Sequence, residues 1–153
     1  MNKKGVTLLE LIIVFVIIAI MAAFILPGIG SSWLPRYRLR SATRDIVSTM
    51  RTAQIQAISS NNTLGYQVNF TAGSSYVLQH NTSNFPPIND GAAQSLPSGI
   101  TVNTGNLPGA IAVFYPNSTC SGGSITLSYQ KNGVTQAQKG IFLSAATGRV
   151  TIQ

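Results

Sequence analysis

Between Leu11 and Leu26 the chain runs through sixteen residues, Leu-Ile-Ile-Val-Phe-Val-Ile-Ile-Ala-Ile-Met-Ala-Ala-Phe-Ile-Leu, without one charge. No amphipathic surface helix and no half-buried strand has this pattern, because both need polar positions at a regular period. Counted from Val6 the stretch is 21 residues, about 31 Å of helix, which matches the roughly 30 Å hydrocarbon core of a bilayer. It therefore predicts a single membrane-crossing helix. Lys3 and Lys4 precede it, so the positive-inside rule puts the N-terminus in the cytoplasm and everything after Pro27 across the membrane.

The remainder has the length of one ordinary domain. The chain has 153 residues, of which 44% are hydrophobic and 8% charged, a composition that folds rather than one that stays disordered. Its acidic residues are Glu10, Asp45 and Asp90, with one histidine, His80, and one cysteine, Cys120. Metal centres and catalytic triads need several such groups converging, so neither a metal, a cofactor nor an enzymatic activity is expected. His80 reads as a surface or packing residue. Cys120, in a glycine-rich turn without a cationic neighbour in sequence, reads as a small unpaired residue rather than a nucleophile. Beyond Pro27 eight basic residues face two acidic ones, so the domain is basic.

From Arg36 to Ile58 the pattern becomes helical. Leu39, Ala42, Ile46, Met50, Ala53 and Ala57 recur at spacings of 3, 4, 4, 3 and 4, one stripe of a helix that packs on a sheet. Arg36, Arg40, Arg44 and Arg51 fall on another face, open to solvent, anionic headgroups, DNA or neighbouring subunits. Between the two helical stretches stand Pro27, Gly28, Gly30 and Pro35. Proline removes a backbone donor and crowds the preceding turn, so at Pro27 the helix either stops before a linker or bends.

After residue 61 short β-prone runs alternate with Gly, Pro, Asn and Ser. Strands are predicted over Leu64–Phe70, Tyr76–His80, Ile100–Asn103, Ala110–Tyr115, Ser124–Gln130, Val134–Gln138, Ile141–Ser144 and Arg149–Ile152,. Asn132-Gly133 marks a tight hairpin, since both central residues of a type I′ turn take positive φ. The segment Asn81–Gly99, with Pro86, Pro87 and Pro97, reads as a long surface loop.

One residue breaks the apolar logic of the N-terminus: Glu10, four residues past Val6, at the head of the uncharged run. A carboxylate there is costly unless a partner meets it. With the two-lysine leader, Gly5-Val6-Thr7-Leu8-Leu9-Glu10 resembles the processing site of type IV pilins and pseudopilins. The resemblance implies that prepilin peptidase cuts between Gly5 and Val6. It also implies that the new N-terminus is methylated, and that Glu10 pairs with the N-terminal amine of an adjoining subunit. At Pro27 the same resemblance favours a helix kink over a stop. Leu39 to Ser48, Tyr115-Pro116-Asn117, Ser121 to Leu127 and Gly148-Arg149-Val150 further resemble the GspH/FimT family of minor pilins and pseudopilins.

Membership of that family implies an α+β fold in which a long N-terminal helix, transmembrane in its first half and amphipathic in its second, packs on an antiparallel sheet domain. The organisation expected is a leader at 1–5, a membrane and assembly helix at 6–30 and a periplasmic domain at 31–153. The implied role is a minor subunit of a type IV pilus or type II secretion pseudopilus that helps assembly near the tip. Its partners would be other subunits, the prepilin peptidase and inner-membrane lipids. The alternative is DNA uptake, since some FimT-type proteins bind DNA through a C-terminal Gly-Arg-x-Arg motif. Here that motif reads Gly148-Arg149-Val150-Thr151, and Arg149 with Lys131 and Lys139 would form the phosphate-binding patch.

Overall fold

The computed structural model describes residues 7–29, 33–60, 62–71, 74–83 and 86–153, with the side chains of 24–29 and 33 outside that description. The chain divides into two units, Met1–Leu34 and Pro35–Gln153.

The first unit is helix α1, Leu8–Ile29. Thr7 caps it: the Glu10 N–H donates to the Thr7 side-chain oxygen at 3.3 Å and to its carbonyl at 3.1 Å. Thr7 and Glu10 therefore stand at the N-cap and N3 positions of a capping-box sequence, and the carboxylate lies at the positive end of the helix dipole. From Leu8 to Met21 every large apolar side chain is at least 51% exposed, so the helix is hydrophobic all round. Among the described residues no helix is long and apolar enough to cross a membrane. The uncharged run in the sequence continues to Leu26, beyond Ala23, where the described side chains of α1 end. The helix carries on through Pro27 to Ile29, so the proline does not terminate it. Residues 30–32, between this helix and the next, lie outside the described residues.

Helix α2, Trp33–Ser59, runs into the second unit. Its predicted stripe is its core face: Leu39, Ala42, Ile46, Met50, Ala53 and Ala57 are all 2% exposed or less. Thr43, also on this side, is buried without penalty because its hydroxyl donates to the Leu39 carbonyl at 2.7 Å,.

The strands are β1 (Tyr66–Thr71), β2 (Ser75–His80), β3 (Ile88–Asn89), β4 (Gln94–Ser95), β5 (Ile100–Asn103), β6 (Ile111–Phe114), β7 (Gly123–Lys131), β8 (Val134–Leu143) and β9 (Val150–Ile152). They make two antiparallel sheets. One has the order β3-β2-β1-β6 with β4 also on β2, and the other the order β5-β7-β8-β9. Val68 and Phe114 from the first sheet and Ile125, Leu127, Ile141 and Leu143 from the second share one core with Leu39, Ile46 and Met50 of α2. Each of the six strand residues is an inward member of an alternating strand.

Close approach at the first sheet selects a glycine. At Gly65, with φ of +82°, a Cβ would lie 2.2 Å from the Phe114 carbonyl oxygen. The hairpin between β7 and β8 turns at Asn132 and Gly133, whose φ values are +53° and +77°, as the type I′ signal required.

Two expectations are corrected. Val134–Gln138 and Ile141–Ser144 are not separate strands. β8 runs unbroken through Lys139 and Gly140, which stand opposite Leu127 and Thr126, and Gly140 exchanges backbone bonds with Gln153 at 3.2 and 2.9 Å. A glycine weakens a strand by lacking a side chain, but its ladder bonds are intact. The Asn81–Gly99 segment is not wholly loop either: β3 and β4 pair with β2 at Gln79↔Asn89 and Tyr76↔Gln94.

Candidate functional site

The site residues expected at the N-terminus divide between described and undescribed positions. Gly5 and Val6 lie outside the described residues. Glu10 is exposed in the first turn of α1, surrounded in sequence by exposed leucine and isoleucine. Its backbone role as N3 of the cap is legible in Thr7-x-x-Glu10, the Ser/Thr-x-x-Glu signature. The two roles are compatible: the cap uses the backbone N–H, and the carboxylate is left for a cation.

The three basic residues expected to form one patch do not. Lys131 is exposed at the end of β7, next to the hairpin turn, while Lys139 stands opposite Leu127, four positions back along β7 and so about 13 Å from Lys131 at 3.3 Å per residue. Their proximity in a hairpin was inferred from sequence neighbourhood, and strand length separates them.

Lys139 and Arg149 instead join α2. A hollow of about 170 Å³ is lined by Arg40, Thr43, Arg44, Lys139 and Ile152. A second, of about 510 Å³, is lined by Arg51, Gln54, Arg149 and strand β9 including Ile152. Ile152 belongs to both, so the two hollows adjoin at its side chain, beside α2. The arginine row was visible in the sequence, but what it faces follows from how α2 lies across the second sheet.

His80 and Cys120 have structural partners. The His80 Nδ1 lies 2.7 Å from Asp90 Oδ1, and the Asp90 N–H donates to the Leu78 carbonyl at 2.9 Å, so the pair ties the β3–β4 segment to β2. An amide ladder continues the same connection across three strands: Gln67 donates to Gln79 and Gln79 to Asn89, each at 2.8 Å. No sequence signal marked it beyond polar residues at alternating positions. Among the described residues no three of His, Cys, Asp and Glu come together to hold a metal.

Cys120 is buried. Its thiol donates to the Ser144 carbonyl at 3.3 Å and its sulfur accepts from the Gly122 N–H at 3.4 Å. Burial pushes the thiol pKa above the ordinary 9.0, with the Gly122 hydrogen bond opposing, so the nucleophilic thiolate is disfavoured. Burial also raises the Tyr76 phenol above 10.0, opposed by a hydrogen bond with Thr49 and assisted by Asp45. Both groups ionise first in the unfolded chain. The stability they contribute is full below the unfolded thiol value and is lost as pH rises through the raised folded values. Cys120→Ala is therefore expected to make the alkaline decline shallower, read by urea unfolding between about pH 8 and pH 10. An unchanged slope would show that the thiol ionises equally in the folded and the unfolded chain.

Residues 1–26 match the family model of the prokaryotic N-terminal methylation motif. No curated protein sequence matches the chain. The minor pseudopilin EpsH from the type 2 secretion system of Vibrio cholerae has a similar fold, with a TM-score of 0.61 and 9% identity, over 76% of this chain and 96% of that chain. A prokaryotic N-terminal methylation motif thus stands ahead of an α+β domain whose fold resembles that of a minor pseudopilin.

Proposed function

We propose that the chain is a minor pilin or pseudopilin subunit. Prepilin peptidase would cut between Gly5 and Val6 and the Val6 amine would be methylated. Helix α1 would hold the subunit in the inner membrane, N-terminus cytoplasmic and domain periplasmic, until it enters a filament at low abundance near the tip. The likeness to a type II secretion pseudopilin favours the pseudopilus over the type IV pilus as its destination.

The observation that carries this reading is the surface of α1. Twelve large apolar side chains from Leu8 to Met21 stay at least half exposed. At about 1 kcal/mol for the exposed half of each, the unmet burial is roughly 12 kcal/mol, comparable with the whole stability of a domain. Lipid first and neighbouring helices later would supply that burial. The test is to extract filaments from the native host and quantify the chain in them. Recovery at a small fraction of the major subunit is expected, and a chain abundant in the membrane but absent from filaments would contradict the proposal.

DNA binding is the second reading, supported by Lys139 and Arg149 standing in adjoining hollows with three arginines. It predicts salt-dependent binding of an oligonucleotide that weakens in Arg149→Ala, because each phosphate contact releases counterions. Absence of binding at low salt would remove it.

A further inference from the structure

Strand β9 is the edge of the second sheet. It meets β8 in the register Leu143↔Val150, Phe142↔Thr151 and Ile141↔Ile152. The Ser144 N–H donates to the Arg149 carbonyl at 3.0 Å, and Gly140 and Gln153 exchange bonds. In an antiparallel ladder hydrogen-bonded and non-hydrogen-bonded pairs alternate. Arg149, Thr151 and Gln153 therefore turn their backbone groups toward β8, while Val150 and Ile152 turn theirs outward. An open edge of this kind is a template for another strand.

The groove beside that edge carries Arg40, Arg44, Arg51, Lys139 and Arg149. Among the described residues the one ion pair in the chain is His80–Asp90, so none of the five cations has a carboxylate partner. Asp45, the other acidic residue of the domain, acts on Tyr76, a residue of the first sheet.

We propose that this groove takes an extended acidic peptide segment, which adds to β9 as the next strand and directs alternate carboxylates at the cations of α2 and at Lys139. The spacing fits. Side chains on one face of a strand repeat at about 6.6 Å, and Arg40 to Arg44 is a rise of about 6 Å along a helix. A phosphate backbone would satisfy the cations but leave the outward N–H and C=O groups of Val150 and Ile152 and the apolar Ile152 side chain unmatched. A peptide strand meets all of them. That the segment belongs to another filament subunit rests on the proposed function; peptide binding itself is measured without a filament.

The experiment uses the full chain in neutral detergent micelles and a short fluorescent peptide alternating glutamate with valine, read by anisotropy at low salt. Binding is expected to weaken roughly tenfold or more in Arg40→Gln with Arg44→Gln, from the loss of two charge-assisted bonds. A similar loss is expected for the glutamine version of the peptide and for one N-methylated on alternate amides so that it cannot pair. Lys131→Gln, outside the groove, is expected to change nothing. The proposal is overturned if the unmodified peptide does not bind, if the N-methylated peptide binds equally, if the arginine variants bind normally, or if only an oligothymidine strand occupies the groove. Peptide binding with a chain that never enters filaments would leave the groove standing and remove the filament reading alone.

Discussion

Glu10→Ala is expected to accumulate in the inner membrane at normal levels and to fall at least tenfold in filaments. The two outcomes separate because insertion and assembly use different parts of α1. Insertion would depend on the uncharged run Leu11–Leu26, which the substitution leaves intact and even extends. Assembly would move the head of the helix among other helices, where a carboxylate is tolerated if a cation meets it, and on the proposed function the methylated amine of an adjoining subunit would supply that charge. The helix cap should survive, since it uses the Glu10 N–H rather than its side chain. Glu10→Gln is the sharper variant, as it keeps the shape and removes the charge. Quantifying both variants in membrane and filament fractions checks the prediction, and normal incorporation of either would refute the pairing.

The largest effect on stability is expected at Phe114. Its ring is fully buried, 0% exposed, and its strand is paired on one side with Tyr66 and bridged on the other to Cys120. It belongs to the core shared by α2 and both sheets, so a cavity there would touch all three. Truncation of a buried phenylalanine costs about 3 to 5 kcal/mol, a large part of a stability of about 5 to 15 kcal/mol. Phe114→Ala is therefore expected to lower the unfolding midpoint by roughly 10 to 20 °C. A circular-dichroism melt of the detergent-solubilised chain measures it. A shift of only a degree or two would mean that the surrounding side chains collapse into the space.

Legibility in the sequence followed the strength of the local physical signal. The α2 stripe was readable because burial on one side of a helix imposes its period, and Ile46, Met50 and Ala53 are fully buried. Asn132-Gly133 was readable because few residues tolerate positive φ twice in succession. Strands β3 and β4 were not, since both are two residues long with every side chain exposed. They exist through backbone pairing to β2, which leaves no alternation to detect. Gly140 misled in the opposite direction: it looks like a break, yet Thr126 and Gln153 hold it in a continuous ladder. At the sites, Glu10 was conspicuous because a charge contradicts its surroundings. The groove was not, because Arg44 and Lys139 are far apart in the chain and meet only where a helix flank lies beside the second sheet.

The measurement that bears most directly on the account is the mass of the N-terminal peptide of the protein isolated from its native host. It is predicted to begin at Val6, with one added methyl group on the amine, and to retain the apolar run. A peptide that still begins with Met1-Asn2-Lys3-Lys4-Gly5, or a mature chain cut after the apolar run, would contradict the account, because Glu10 would then have no matching amine beside it.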